Sequence, residues 1–296
     1  MQNEIRDFLM SRRARVTPTQ AGLPHVGGDR RVPGLRREEV AMLAGVSVEY
    51  YTRLERGKLG GASEGVLEAI SRVLQLNDDE RAHLYDLARS VAPGSRPPQP
   101  RRDAPVDASV RQVLESMSVP AVVQNERLDV LAANELGRAL YDVLFDGAKS
   151  IPNFARFAFL DSRAADFYPD LDDAKNLVVA VLRTTAGRDP LDQKTTALVG
   201  ELSTRSADFA ARWAKHDVSR HTRGRKVIEH PAVGRLDLEF NDFALPGEPH
   251  ISITTYTAAP GSASADGLTL LAAWADTRRQ TTGDDTFTTS DAATSR

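Results

Sequence analysis

Apolar residues recur at helical spacing from the first turn of the chain. Ile5, Phe8 and Leu9 lie three and four apart within Glu4 to Arg15 and predict one helix. Leu35 to Lys58 reads LRREEVAMLAGVSVEYYTRLERGK and predicts two more, bent about Gly45. Val66, Leu67, Ile70, Val73 and Leu74 make one stripe over Ser63 to Leu74, and Asn77 followed by Glu80 opens a fifth helix before Leu84 and Leu87. The texture then changes. Ala92 to Pro105, APGSRPPQPRRDAP, holds five prolines in fourteen residues and predicts an extended linker. Beyond a lead-in helix over Val110 to Met117, the short apolar runs Ala121–Gln124 and Leu128–Ala132 flank an Asn125–Glu126–Arg127 turn and predict a hairpin. Helical patterns follow over Asn134–Leu144, Ala174–Thr185, Lys194–Leu202 and Ala207–His216. Alternation then takes over at Lys226–His230, Arg235–Phe240 and Ile251–Thr257, with Pro231–Gly234 as a turn, and a helix from Asp266 to Trp274 comes last.

These elements predict an N-terminal all-α, five-helix helix-turn-helix domain over 1–91, a linker over 92–105, and an α+β domain with an antiparallel sheet over 106–276. Helices gathered over one face of that sheet would enclose a cavity fit for a small ligand. Residues 277–296, with the Thr/Ser/Asp-rich run Thr281–Arg296, read as a disordered tail.

The corner at Gly45 carries the most chemical information. Ala41 is small enough for a second helix to cross over it, Gly45 accepts the left-handed conformation that ends a helix, Val46 plugs the bend, and Ser47 caps the next helix. Tyr51 and Leu54 then face inward, which leaves Val48, Glu49, Thr52 and Arg53 outward for the edges of a DNA major groove. Arg53 suits guanine, Glu49 a cytosine amino group and Val48 a thymine methyl. Arg36, Arg37, Ser47 and Lys58 suit phosphates, and Tyr50 suits either role. Two plainer readings compete: an αα-hairpin with no DNA role, and a Glu49–Arg53 salt bridge at i,i+4.

Charge favours DNA. The chain carries 38 basic and 41 acidic residues, a net of −3, but the balance is uneven. Residues 1–102 hold 17 basic and 13 acidic residues, a net of +4, which leaves 21 and 28, a net of −7, behind them. A basic front suits a polyanion and an acidic back is kept off it. No cysteine is present, so thiolate chemistry and disulfides are excluded, in keeping with a reducing cytoplasm. No apolar run approaches the ~18–20 residues of a membrane span. The start, MQNEIRDFLMSRRAR, lacks a signal peptide's apolar centre. A cytoplasmic protein with no membrane partner is expected.

At these residues the chain resembles regulators that join an XRE-like helix-turn-helix to an MmyB-like ligand-binding domain. In front the resemblance rests on LRREEVAMLAGVSVEYYTRLERGK and NDDERAHLYDLAR. Behind, it rests on RLDVLAANELGRALY, FARFAFLDSRAADFYPD, LVGELSTRSADFAARWAKHDV, RKVIEHPAVGRLDLEF and ITTYTAAPGSASADGLTLL, so that it covers about residues 1–275. It implies a PAS-like sensor fold, a homodimer on double-stranded operator DNA, and a small apolar ligand, with fatty acids as the suggestive case. The family reads Ala-Trp-Asn where this chain has Ala132-Ala133-Asn134, so ligand identity is not carried over with the fold.

Phe154, Phe157, Phe159, Phe167, Tyr168 and Trp213 are the candidate ligand-lining residues, against the simpler reading that clustered aromatics are plain core. Trp274 stands under the same alternative. Arg156 or Arg163 could anchor a carboxylate, though an exposed arginine is the default. His216, His221, His230 and His250 match no metal-binding spacing, so no metal or other cofactor is expected. No nucleophile elbow, phosphate loop or catalytic carboxylate pair stands in context, and Asp142, Asp146 and Asp161 read as surface or helix-end acids; an enzyme is not expected. The reading is a ligand-controlled, DNA-binding transcriptional regulator, a repressor in sign. Its alternatives are a rear domain that only dimerises or docks a partner, and a metal-dependent sensor or enzyme.

Overall fold

The computed structural model describes residues 2–24, 32, 34–91, 105–147, 150–218 and 223–287. The helices in chain order are α1 (Gln2–Arg15), α2 (Arg37–Ala44), α3 (Val48–Glu55), α4 (Glu64–Val73), α5 (Asp78–Ser90), α6 (Ala108–Glu115), α7 (Glu135–Leu140), α8 (Asp142–Phe145), α9 (Phe154–Leu160), α10 (Ala164–Phe167), α11 (Leu171–Arg188), α12 (Gln193–Arg205), α13 (Ala207–Trp213) and α14 (Ala263–Phe287). The strands are β1 (Ala121–Asn125), β2 (Val130–Ala133), β3 (Arg223–His230), β4 (Gly234–Leu245) and β5 (Glu248–Thr257). They divide between two compact units: Met1–Arg102 with Val179–Arg220, and Asp103–Val178 with His221–Arg296.

In the first unit, local signals set the helix ends. Gly45 sits at φ 67° and closes α2, while Ser47 and Ser63 cap α3 and α4 through their hydroxyls. Asn77 and Glu80 form the reciprocal capping box at α5, with bonds of 2.9 and 3.1 Å. The inward stripes meet in one core that includes Ile5, Phe8, Leu9, Val40, Ala41, Tyr51, Leu54, Ile70, Leu84 and Leu87.

Residues 179–220 belong to this unit, although their sequence position suggested cover for the rear sheet. Two contacts account for this. Val218 joins the apolar core, and the buried guanidinium of Arg183 reaches Glu4 of α1, His216 Nδ1 at 2.9 Å and the Trp213 carbonyl, lying 4.0 Å over the Trp213 ring. Gly187 permits the approach: a Cβ there would fall inside the ring of the buried His83 on α5. Residues 92–104 of the expected linker lie outside the described residues.

In the second unit a five-stranded antiparallel sheet runs in the order β2-β1-β5-β4-β3. The hairpin is fixed by Asn134, whose Oδ1 accepts from the Ala121 and Gly137 backbone N–H groups while its Nδ2 donates to the Met117 and Val119 carbonyls. The helices are not confined to one face as expected. α6 packs Leu114 and Val110 against Ala121, Val123, Ala132, Ile251 and Ile253 on one side. Tyr141, on the opposite side, lies edge-on against Tyr256 of β5, and Gly267 of α14 abuts Leu236 of β4.

Two boundaries also differ. The helix expected over Asn134–Leu144 breaks at Tyr141 into α7 and α8, because the Tyr141 ring turns inward among aromatics. α14 continues to Phe287, past the start of the run expected to be disordered. A helix already nucleated propagates through poor formers at low cost. Residues 288–296 lie outside the described residues.

Candidate functional site

The first site is the outer face of α3. Tyr51 and Leu54 are buried beneath it, while Val48, Glu49 and Arg53 are exposed and Thr52 is half-buried. Val48, Glu49, Thr52, Arg53, Arg56 and Lys58 line a hollow of about 310 Å³. Arg53 makes no ion pair with Glu49 among the described residues. Its guanidinium instead lies 5.0 Å over the Tyr50 ring, which pre-orients it without neutralising its charge. Arg56 and Lys58 likewise meet no carboxylate among the described residues. Arg56, absent from the sequence-derived site, thus belongs with it, and its position directly after α3 is the signal that marks it.

The remaining expected contacts carry structural duties as well. Ser47 Oγ accepts the Tyr50 N–H at 3.0 Å as the cap of α3. Arg37 pairs with Glu55, a buried carboxylate that Arg13 also grips at 2.6 Å, so this trio pins α1 and α2 to α3. Arg36 is exposed and only loosely paired with Glu38, at 3.7 Å.

The second site lies on one face of the rear sheet. Tyr141, Phe154, Phe157, Phe167 and Tyr168 are buried and meet edge-on or tilted, with centroids 4.9–5.8 Å apart; Tyr256 of β5 joins them at 5.5 Å from Tyr141. Four of the six expected ligand-lining residues are therefore brought together. Phe159 is half-buried, with Lys175 Nζ 5.5 Å from its ring. Trp213 is in the first unit, stacked on Phe209 and under Arg183.

Sequence reasoning missed Tyr141, Tyr256 and two charged members. Lys226 of β3 directs its amine among Phe154, Tyr168 and Phe240, at 5.8, 5.6 and 6.0 Å from the ring centroids, and burial lowers its pKa to about 8. Burial raises the Asp242 carboxyl above its usual range even though it accepts from Thr254 Oγ1 at 2.5 Å, with Gln124 Nε2 on the same threonine at 2.9 Å. The alternation Lys226, Ile228, His230 was the signal that would have turned the lysine inward. Burial likewise lifts the Tyr141, Tyr168 and Tyr256 phenols, so they stay neutral donors throughout the accessible pH range.

Arg163 pairs with Asp161 at 2.7 Å on the surface, and Arg156 is half-buried on α9. Of the histidines, His216 sits with Glu4 in the first unit, while His230 is buried beside the Ala139 carbonyl at 3.0 Å and Asp142 at 3.6 Å. His250 is half-buried on β5, and His221 lies outside the described residues. Among the described residues no three metal-ligating side chains converge. A further hollow of about 540 Å³, between α7, α8 and α14, is lined by Arg138, Asp142, Asp146, Trp274 and Arg278 with five others. No described helix is long and apolar enough to cross a membrane.

Comparison with known families gives two matches. Residues 106–271 match the MmyB-like transcription regulator ligand binding domain, and residues 5–84 match a helix-turn-helix domain. A comparison with curated proteins finds no match.

Proposed function

The chain belongs to the family of MmyB-like transcription regulators, and from that premise we propose that it is a sequence-specific, operator-binding homodimer controlled by a small apolar, fatty-acid-like ligand. The observation that carries the DNA half is the outer face of α3: three cations, Arg53, Arg56 and Lys58, border one hollow with Glu49 and form no ion pair among the described residues. Val48, Glu49, Thr52 and Arg53 read base edges there, and Arg36, Arg37, Ser47, Tyr50 and Lys58 hold phosphates. Two copies would address half-sites about 34–36 Å apart or a multiple of that. Repression is the proposed sign, since occupancy of a promoter is enough to block it. The setting is the cytoplasm, where duplex DNA is at hand.

Support for the ligand half comes from the aromatic cluster of Phe154, Phe157, Phe167 and Tyr168, which faces the sheet with Lys226 among its rings. A ligand controls DNA binding only by preferring one dimer geometry over another. The close packing of those same rings favours a second reading, in which the rear unit only dimerises or docks a partner.

Selection of binding sites from randomised duplexes by the purified full chain tests the DNA half. A two-fold symmetric site is expected, with affinity falling steeply as salt rises. Arg53→Ala is expected to cost about 1–3 kcal/mol and to relax preference at one base pair per half-site. Equal weakening on every sequence would make Arg53 a phosphate contact, and a flat salt response would refute the interface.

A further inference from the structure

The buried arginines among the described residues are neutralised: Arg12 meets Glu80 at 3.0 Å, Arg127 meets Asp129 at 3.3 Å, and Arg183 meets Glu4. Lys226, half-buried, is different. It occupies an inward position of β3, opposite Leu238 of β4, while the adjacent Arg225 points outward to Asp237. A lysine at the edge of a sheet ordinarily extends its amine to water along an apolar stem. Here the amine is held among three rings, and no carboxylate comes within ion-pair distance of it among the described residues.

Ring faces offset only part of the cost of withdrawing an ammonium from water. An unpaired charge in an apolar site costs more than that, so folding alone gives no reason to keep it. An ionisable group left uncompensated among apolar side chains is a mark of a site whose partner arrives from outside. One amine calls for one negative charge, and the surrounding rings call for an apolar body.

We propose that Lys226 is the anchor for the head group of the ligand, which is a monoanion on an apolar frame, held by an ion pair to Nζ within the ring of Phe154, Tyr168 and Phe240. This rests on the reading of the rear unit as a ligand-binding domain for an apolar acid, and it adds the residue that holds the head group.

Calorimetric titration of the full chain at pH 7 with matched acid and alcohol probes tests it: decanoate against decanol, and 2-naphthoate against 2-naphthol. On whichever frame binds, the acid is expected to bind at least tenfold more tightly than the alcohol. Lys226→Met should abolish that preference, with the acid losing far more affinity than the alcohol, and Lys226→Arg should keep the preference. Thermal unfolding of Lys226→Met should show no loss of stability, because an unpaired charge held among rings has been replaced by an apolar chain of similar length. Equal binding of acid and alcohol, or a preference that survives Lys226→Met, overturns the anchor and leaves the ligand-binding reading standing. A marked loss of stability in Lys226→Met assigns the amine a structural role and also overturns it. Failure of all four probes to bind removes the ligand-binding reading of this cluster, and the anchor with it.

Discussion

Arg183→Met in the full chain tests whether residues 179–220 hold the DNA-binding helices in place. The guanidinium is fully buried, bonds Glu4 and the Trp213 carbonyl, and covers the Trp213 ring at 4.0 Å. Glu4 registers the interaction: burial alone would raise its pKa, but the nearby His216 ring and the bond to the charged Arg183 hold it down to about 2. Removing one partner of a buried pair costs about 3–5 kcal/mol, because the other charge is stranded. Glu4 keeps 24% of its side-chain surface exposed and can regain water, so the lower end, about 3 kcal/mol, applies. The chain has two tryptophans, and Trp274 lies in the second unit. In a Trp274→Phe background, urea unfolding followed by fluorescence therefore reports Trp213 and the first unit alone. Glu4→Gln and the double variant complete a cycle, in which the two losses should be strongly non-additive. A loss below about 1 kcal/mol for Arg183→Met, or additive losses in the cycle, would mean that the latch contributes nothing and that Val218 and its neighbours hold the segment by apolar packing.

Two further expectations follow from buried groups. Burial lowers the His83 pKa to about 4, so the unfolded chain, at 6.5, binds more protons between those values; stability of the first unit is full above about pH 6.5 and falls as pH drops toward 4, by about 2 kcal/mol between pH 7 and 5. The same Trp213 signal measures this, and a pH-independent midpoint over that range would contradict the burial of a neutral imidazole. Gly137→Ala should cost the second unit about 2–3 kcal/mol, since a Cβ there would collide with the Ala121 carbonyl, a backbone group that Asn134 holds from both sides. Unfolding followed by Trp274 fluorescence should show the loss, and a midpoint within error of the parent would mean the hairpin can move aside.

The parts of this molecule that could be read from its sequence are those set by short-range stereochemistry. Gly45, Ser47, Asn77 and Glu80 announce helix ends because a left-handed turn or an orphan N–H must be satisfied within a few residues. Alternation likewise announced β3, β4 and β5. What escaped was set by partners far apart in the chain. Nothing near Arg183 points to Glu4, 179 positions earlier, so α12 and α13 were assigned by proximity to the rear sheet. Trp213 looked like a member of the aromatic set because composition records that rings are present but not which way they face. Lys226 was overlooked for the opposite reason. A lysine on a strand is expected to be solvated, and only the register that sets it opposite Leu238, beneath Phe154 and Tyr168, makes its charge an exception. Arg37 shows the same limit on the DNA face: its place at the start of α2 suits a phosphate, but Glu55, eighteen residues on and buried, already holds one side of its guanidinium. A basic residue beside a recognition helix therefore has two roles to divide, and the share left for DNA depends on the carboxylate the fold has placed beneath it.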